Sequence, residues 1–229
     1  MKLSVAIMHA PWARERASVV ARTLEELRRG GVEGVVVRDV GREGVWPTAR
    51  RAWSVCVLAG STHHVVVQDD AWLSLDFVKA LKGALQVRPD SPVVLANVRK
   101  TGVKAREAGV SWIRTDDGAC GVAQVLPRDK VTQFLRWTDL NVRQDWLHDD
   151  GRLMLWGLRH EVKIWVTAPS LAREAGVKSL LGHRSNPVSY FVEDASQVEW
   201  NDRFIEDRHV TWEGSQNWAR KAWLPGATP

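Results

Sequence analysis

Val65-Val66-Val67-Gln68-Asp69-Asp70 is the stretch on which the fold turns. Three consecutive valines suit a strand buried on both faces, as in a parallel α/β sheet. In such sheets ligands gather at the carboxyl ends of the strands, which is where Asp69 and Asp70 stand. Two carboxylates there repel each other and lose solvation, a cost that a cation removes. A hard divalent ion such as Mg²⁺ or Mn²⁺ takes one or two carboxylates together with phosphate oxygens. The plainer alternative is a pair that caps the next helix or solvates a turn, and the stretch alone leaves both open. If the strand persists through the pair, Gln68 and Asp70 face one way and Asp69 the other, so Asp70 is the expected main ligand.

Working outward, strands and helices alternate. Val5–Met8 is a short apolar run, followed by a helix with Ala17, Val20, Leu24 and Leu27 on one face, closed by Gly30-Gly31. Val35–Val37 reads as a second strand buried on both faces. A helix opened by Pro47 carries Ala49, Ala52, Trp53 and Cys56 inward. After the acidic pair, Leu75–Leu85 is a third helix and Pro92–Ala96 a fourth strand. The stretch 97–118 is polar, lacks periodicity and reads as a long loop. Val122–Leu126 alternates as a strand, Asp129–Trp137 is a short helix, another helix starts near Asp149, and Lys163–Val166 is a late strand. The pattern predicts an α/β fold, a mainly parallel central sheet with helices on both faces. Residues 1–190 are expected to form the main domain. Residues 191–229, with Trp200, Trp212, Trp218 and Trp223, are expected to pack on it as a Trp-rich extension.

Composition narrows the classes. The 229 residues include two cysteines, Cys56 and Cys120, far apart and without CxxC spacing, as expected of reduced thiols in a cytoplasmic protein. No apolar run approaches the roughly 20 residues that span a bilayer, and no basic amphipathic anchor stands out. The net charge of +5 is uneven: seven acidic against four basic residues from Phe191 onward leave +8 on residues 1–190. A basic body suits a polyanionic partner, either a nucleotide diphosphate or a nucleic acid, and equally a solvated surface. Thirteen tryptophans suit core packing and also flat ligands such as sugars and bases.

His64 to Asp70, with Trp72 and Asp76-Phe77 after it, resembles the D-x-D stretch of nucleotide-sugar glycosyltransferases of the GT-A fold. Gly121–Pro127 is similar to the strand that passes under their acceptor site. Asp149-Asp150-Gly151-Arg152-Leu153 looks like the acidic pair opening a helix beside the acceptor. Pro169-Ser170-Leu171 with Ser179-Leu180-Leu181-Gly182 resembles the segment closing over the donor phosphates. Within this group the likeness is to small bacteriophage enzymes, some of which decorate hydroxymethylated DNA bases. The resemblance implies a metal-dependent transfer from a nucleotide sugar, most naturally a UDP-sugar, to a hydroxyl acceptor. If the protein is phage-encoded, it would act in the host cytoplasm.

The same resemblance distributes roles. Asp70 would bind Mn²⁺ or Mg²⁺ bridging the donor diphosphate, and Asp69 or Gln68 would contact the ribose or the metal's water shell. Gln68 stands where the family has an acid. Arg14, Arg16 and Arg50 would lie against the nucleotide. Asp149 and Asp150 would supply the general base, with Asp150 preferred, although aspartates also suit a helix N-terminus by themselves. Glu174 or His183 would complete the metal site, and Trp112 and Trp137 would stack on the acceptor.

Other functions fit less well. No G-x-G-x-x-G follows the first strand and no P-loop occurs. The Cys/His clusters of a zinc hydrolase are missing. A metal-dependent nuclease, with Asp69, Asp70, Asp149 and Asp150 holding two ions, is the serious rival from another class. A glycosyltransferase acting on a saccharide or lipid-linked acceptor is the rival within the class.

Overall fold

The structure, a computed structural model, describes residues 1–115, 120–146, 148–180, 188–207 and 222–223, with side chains 56–59 left undescribed. Its first half runs β1 (Leu3–His9), α1 (Arg16–Arg29), β2 (Gly34–Arg38), α2 (Val45–Ala59), β3 (His63–Gln68), β4 (Ala71–Leu73), α3 (Phe77–Val87) and β5 (Val93–Val94). Then come α4 (Thr101–Glu107), β6 (Trp112–Thr115), β7 (Ala123–Pro127), α5 (Arg128–Asn141), α6 (Asp149–Arg159), β8 (Ile164–Thr167), β9 (Ala172–Glu174) and β10 (Phe204–Asp207). Eight strands form one sheet in the order β10-β6-β8-β5-β7-β3-β1-β2, and β4 and β9 pair separately. The parallel pairings are β1 with β2 and β3, β5 with β8, and β6 with β10. Strand β7 runs antiparallel between β3 and β5, and β6 antiparallel to β8. The expected α/β class, mainly parallel with helices on both faces, is what the chain adopts.

Strand alternation builds the two faces. Val5, Ile7, Val65, Val67 and Val93 join α1 and α3 in one core. Ala6, Met8, Val66 and Val94 join α2, α5 and α6 in the other. The second core is rich in aromatics: Phe134 meets Trp46, Trp53 and Trp156 edge-on at 5.8–6.1 Å between ring centres, the arrangement that ring quadrupoles favour. His64 sits inside it, accepting from the Ser4 hydroxyl at 2.7 Å and donating from Nε2 to the Ala52 carbonyl at 2.8 Å.

Two expectations change. β2 is the sheet edge, and Val35 is 47% exposed rather than buried on both sides. A run of valines reports β propensity, and it cannot tell an edge strand from a central one. The stretch 97–118 contains α4 and β6, because short elements of four to seven residues leave too little periodicity to read. The described part of 191–229 is built into the body, with Trp200 against Trp112 and β10 in the main sheet. Trp212 and Trp218 lie outside the described residues. Among the described residues no helix is long and apolar enough to cross a membrane.

Candidate functional site

The parallel register aligns Met8 with Gln68, so the chains leaving β1 and β3 emerge side by side. Asp69 is tied there on both oxygens. Its Oδ2 accepts from the Ala10 N–H at 2.7 Å and from His9 Nδ1 at 3.0 Å, and its Oδ1 accepts from Arg16 Nη1. The other arm of the same guanidinium, Nη2, stands 3.0 Å from Asp70 Oδ2 and donates to the Lys178 carbonyl at 3.0 Å. Arg16 is 4% exposed. A planar, permanently charged fork is the side chain suited to span two carboxylates in a dry place. Asp70 Oδ1 is buried and has no hydrogen-bond partner. Burial raises the Asp70 carboxyl; Arg16 opposes this, and the charges of Asp69 and Glu174 add to it.

A second acidic pair faces the first. Asp149 and Asp150 form the first turn of α6, where unpaired N–H groups and the helix dipole favour negative charge. Gln68 reaches across, and its amide donates to Asp149 Oδ2 at 3.2 Å. Gly121 permits this approach, since a Cβ at that position would lie 2.8 Å from Gln68 Nε2 and 3.1 Å from Asp149 Oδ1. Burial pushes the Asp149 carboxyl up to about 7, the Asp150 charge adds to the rise, and the Gln68 bond draws it down. Asp150 is half-buried; burial raises its carboxyl, and the Gly151 N–H donated to it at 2.7 Å opposes the rise. Cys120 feels the charges of both pairs. Burial first, then the charges of Asp150, Glu174 and Asp70, push its thiol up to about 12, so it stays protonated.

The remaining sequence candidates divide. Glu174 is brought in: β9 pairs Ala71 with Glu174, and the Ala175 N–H donates to the Asp70 carbonyl at 2.7 Å. Arg14 is exposed in the turn after β1, at the carboxyl end of that strand. Arg16 is there too, as the counter-ion of the aspartates rather than a group presented to a nucleotide. Arg50 is not brought in. It forks onto Asp139 of α5 at 2.7–2.8 Å, because helix α2 turns that face toward α5. Trp112 is wholly buried between Trp165 and Trp200, with Nε1 donating to the Asn201 carbonyl at 2.7 Å, so it presents no face to an acceptor. Trp137 packs on His160, beyond the far end of α6 from Asp149, and on Trp223. Tryptophan is abundant here, and its type alone does not separate core from platform. His183, Leu181 and Gly182 lie outside the described residues.

Strand alternation also stops sooner than expected. β3 ends at Gln68, and one guanidinium reaches both Asp69 and Asp70, so the two acids are not on opposite faces. Pattern reading missed His9 as the partner of Asp69. Its signal was available, because residues following two parallel neighbouring strands come out adjacent. Arg152, buried one turn beyond Asp149, was also missed, since nothing in a sequence marks a buried arginine.

Chemically, the carboxyl ends of β1 and β3 offer one acidic pair partly compensated by a guanidinium and another poised for protonation. The residues that could hold a divalent cation here are Asp70, whose Oδ1 has no partner, and Glu174, whose charge reaches it; phosphate oxygens would have to complete the shell. Among the described residues no three His, Cys, Asp or Glu side chains are grouped as a cage.

No protein-family model matches the sequence, and neither does any curated protein. Among solved structures, residues 1–349 of TarS from S. aureus align over 73% of this chain and 58% of that one, at 11% identity and a TM-score of 0.47. The chain thus spans less than two thirds of that protein fragment. A glycosyltransferase involved in glycosylation of the major capsid of PBCV-1 aligns over 70% of this chain and 68% of its own, at 11% identity and a TM-score of 0.32.

Proposed function

We propose that the protein is a GT-A-type glycosyltransferase that moves a sugar from a nucleotide-sugar donor to a hydroxyl acceptor. The observation that carries this reading is the meeting of two unlike aspartate pairs at the carboxyl end of β3, joined by the Gln68–Asp149 bond. Asp70, held by Arg16 with one oxygen left over, would hold Mn²⁺ or Mg²⁺ against the donor diphosphate. When bound, the cation would neutralise charge developing on the leaving diphosphate. In transfer, the bond between the anomeric carbon and the diphosphate oxygen breaks as the acceptor oxygen bonds to that carbon. The acceptor proton passes to a carboxylate, and the half-buried Asp150 is better exposed for this than Asp149. Asp69, saturated by three donors, acts by positioning rather than by binding donor or metal.

The donor is read as a UDP-sugar. The acceptor is read as a polyanion, a hydroxymethylated base in DNA being one such hydroxyl; the +8 charge on residues 1–190 favours it over a neutral saccharide. A two-ion nuclease is disfavoured by the first acidic pair, whose oxygens are mostly spent on Arg16, His9 and Ala10. The test is a thermal-shift screen of nucleotide sugars with and without Mn²⁺. A ligand at 100 times its Kd stabilises by about 2.7 kcal/mol, which such a screen resolves. A shift with one donor that requires metal supports the reading. No shift with any donor, together with Mg²⁺-dependent cutting of DNA, would replace it with the nuclease. DNA binding that weakens steeply with salt supports the polyanionic acceptor, and no binding at low salt removes it.

A further inference from the structure

Arg152 sits on α6 one turn past Asp149 and is wholly buried. Its Nε donates to the Trp146 carbonyl at 3.1 Å, and Nη2 donates to the carbonyls of Arg143 and Trp146, both at 2.5 Å. The guanidinium carbon lies 4.1 Å from the centre of the Trp46 ring and 5.6 Å from that of Trp146. Both carbonyls belong to the turn that feeds α6, and this turn is closed by the Trp146 N–H on the Arg143 carbonyl at 3.1 Å.

The turn is gripped again by residues far away in sequence. The Arg143 N–H donates to the Ala222 carbonyl at 2.6 Å, and Val142 forms an antiparallel bridge with Trp223. The Trp223 ring stands edge-on to Trp137 at 6.0 Å. Val142, Met154, Leu155 and Ala222 make a small core of their own, separate from the two sheet faces. The 142–146 turn is therefore held by a buried cation on one side and by Ala222-Trp223 on the other.

We propose that Arg152 and the Ala222–Trp223 segment clamp the 142–146 turn and so hold Asp149 and Asp150 in place. Both are positioning groups, and the C-terminal segment belongs to the machinery of the base. The proposal rests on the glycosyltransferase reading for what the acids do, and on geometry alone for the clamp. An error of about 1 Å in a reacting group costs on the order of 100-fold in rate, so a clamp that does not touch substrate still reaches the chemistry.

The test compares Trp223→Ala, Trp223→Phe and Arg152→Lys in the full chain, by amide exchange and by steady-state kinetics. In Trp223→Ala the amides of Arg143, Trp146 and Arg152 should exchange faster. Its kcat should fall by about 10- to 100-fold while the donor KM stays within about twofold. Trp223→Phe, which keeps a ring against Trp137, should restore most of both. Arg152→Lys should behave as Trp223→Ala does, because one ammonium cannot reproduce a fork over two carbonyls. Unchanged exchange in Trp223→Ala overturns the clamp. Faster exchange with an unaltered kcat overturns its part in the reaction. Absence of nucleotide-sugar turnover by the unmodified protein overturns the glycosyltransferase reading separately, and the exchange data still decide the clamp.

Discussion

The chain carries two Asp-Asp pairs that meet at the carboxyl end of β3, and they are stabilised by different means. Asp69-Asp70 follows a strand and is compensated by a full charge, the Arg16 guanidinium. Asp149-Asp150 opens a helix and is compensated by partial charges, the α6 N-terminus and one amide donor from Gln68. At Asp70 the guanidinium opposes the rise that burial imposes, and the oxygen it leaves over suits a cation. Partial charges leave the Asp149 carboxyl near 7, which suits proton exchange. Identical dipeptides thus acquire different chemistry from what faces them.

That contrast can be broken experimentally, the largest effect first. Asp70→Ala should lower transfer by about 10³-fold or more, since loss of charge neutralisation at the diphosphate is worth several kcal/mol. The variant should melt near the parent temperature, because it also removes a buried oxygen without a partner. Normal turnover would end the metal-site assignment. Asp150→Asn should lower kcat by about 10²- to 10⁴-fold, the usual worth of a general base, and flatten the acidic limb of the pH–rate profile. If Asp149→Asn does this and Asp150→Asn does not, the roles within the pair are exchanged.

Arg16→Gln tests stability rather than rate. Two buried carboxylates would lose their shared cation, which should cost about 3–5 kcal/mol in urea unfolding. A change below about 1 kcal/mol would mean that the pair is wetter than its geometry indicates.

The smallest effect concerns His64, which stands on the same strand with no charged partner. Burial lowers its pKa from 6.5 to about 4. Between those values the unfolded chain binds the proton and the folded one does not. The His64 contribution is therefore intact above about pH 6.5 and is lost as pH falls toward 4, approaching about 3 kcal/mol. Asp149 tilts stability the other way, its contribution being lost as pH rises from 3.8 toward 7. The comparison is accordingly between the parent and His64→Gln, measured at pH 7 and pH 4.5. Equal slopes in the two proteins would show that His64 is hydrated.

Much of this was legible beforehand because it is local. Val65–Val67 running into two aspartates gives a buried strand with an acidic end. Phe77, Val78, Leu81 and Leu85 give a helix face, and all four are buried. Asp149-Asp150 before a periodic apolar run gives a helix start. The tryptophans were not legible, since Trp112 and Trp137 have the same identity in a core as on a platform. Arg50 and Arg16 looked alike as residues flanking early helices, yet one pairs with Asp139 on the surface and the other is sealed beneath the aspartates.

By itself, the sequence determined the α/β alternation, the strand end that carries Gln68-Asp69-Asp70 and the helix start that carries Asp149-Asp150, because each depends on residues within one turn or one strand. Only the tertiary structure decided that the two acidic pairs meet, that Arg16 and His9 hold the first, and that Arg152 and Trp223 brace the approach to the second. The contacts at the two pairs join residues 53 to 81 positions apart, and Trp223 reaches the 142–146 turn from as far along the chain. What an aspartate becomes there is set by the charge and solvent around it, and no periodicity in the chain records either.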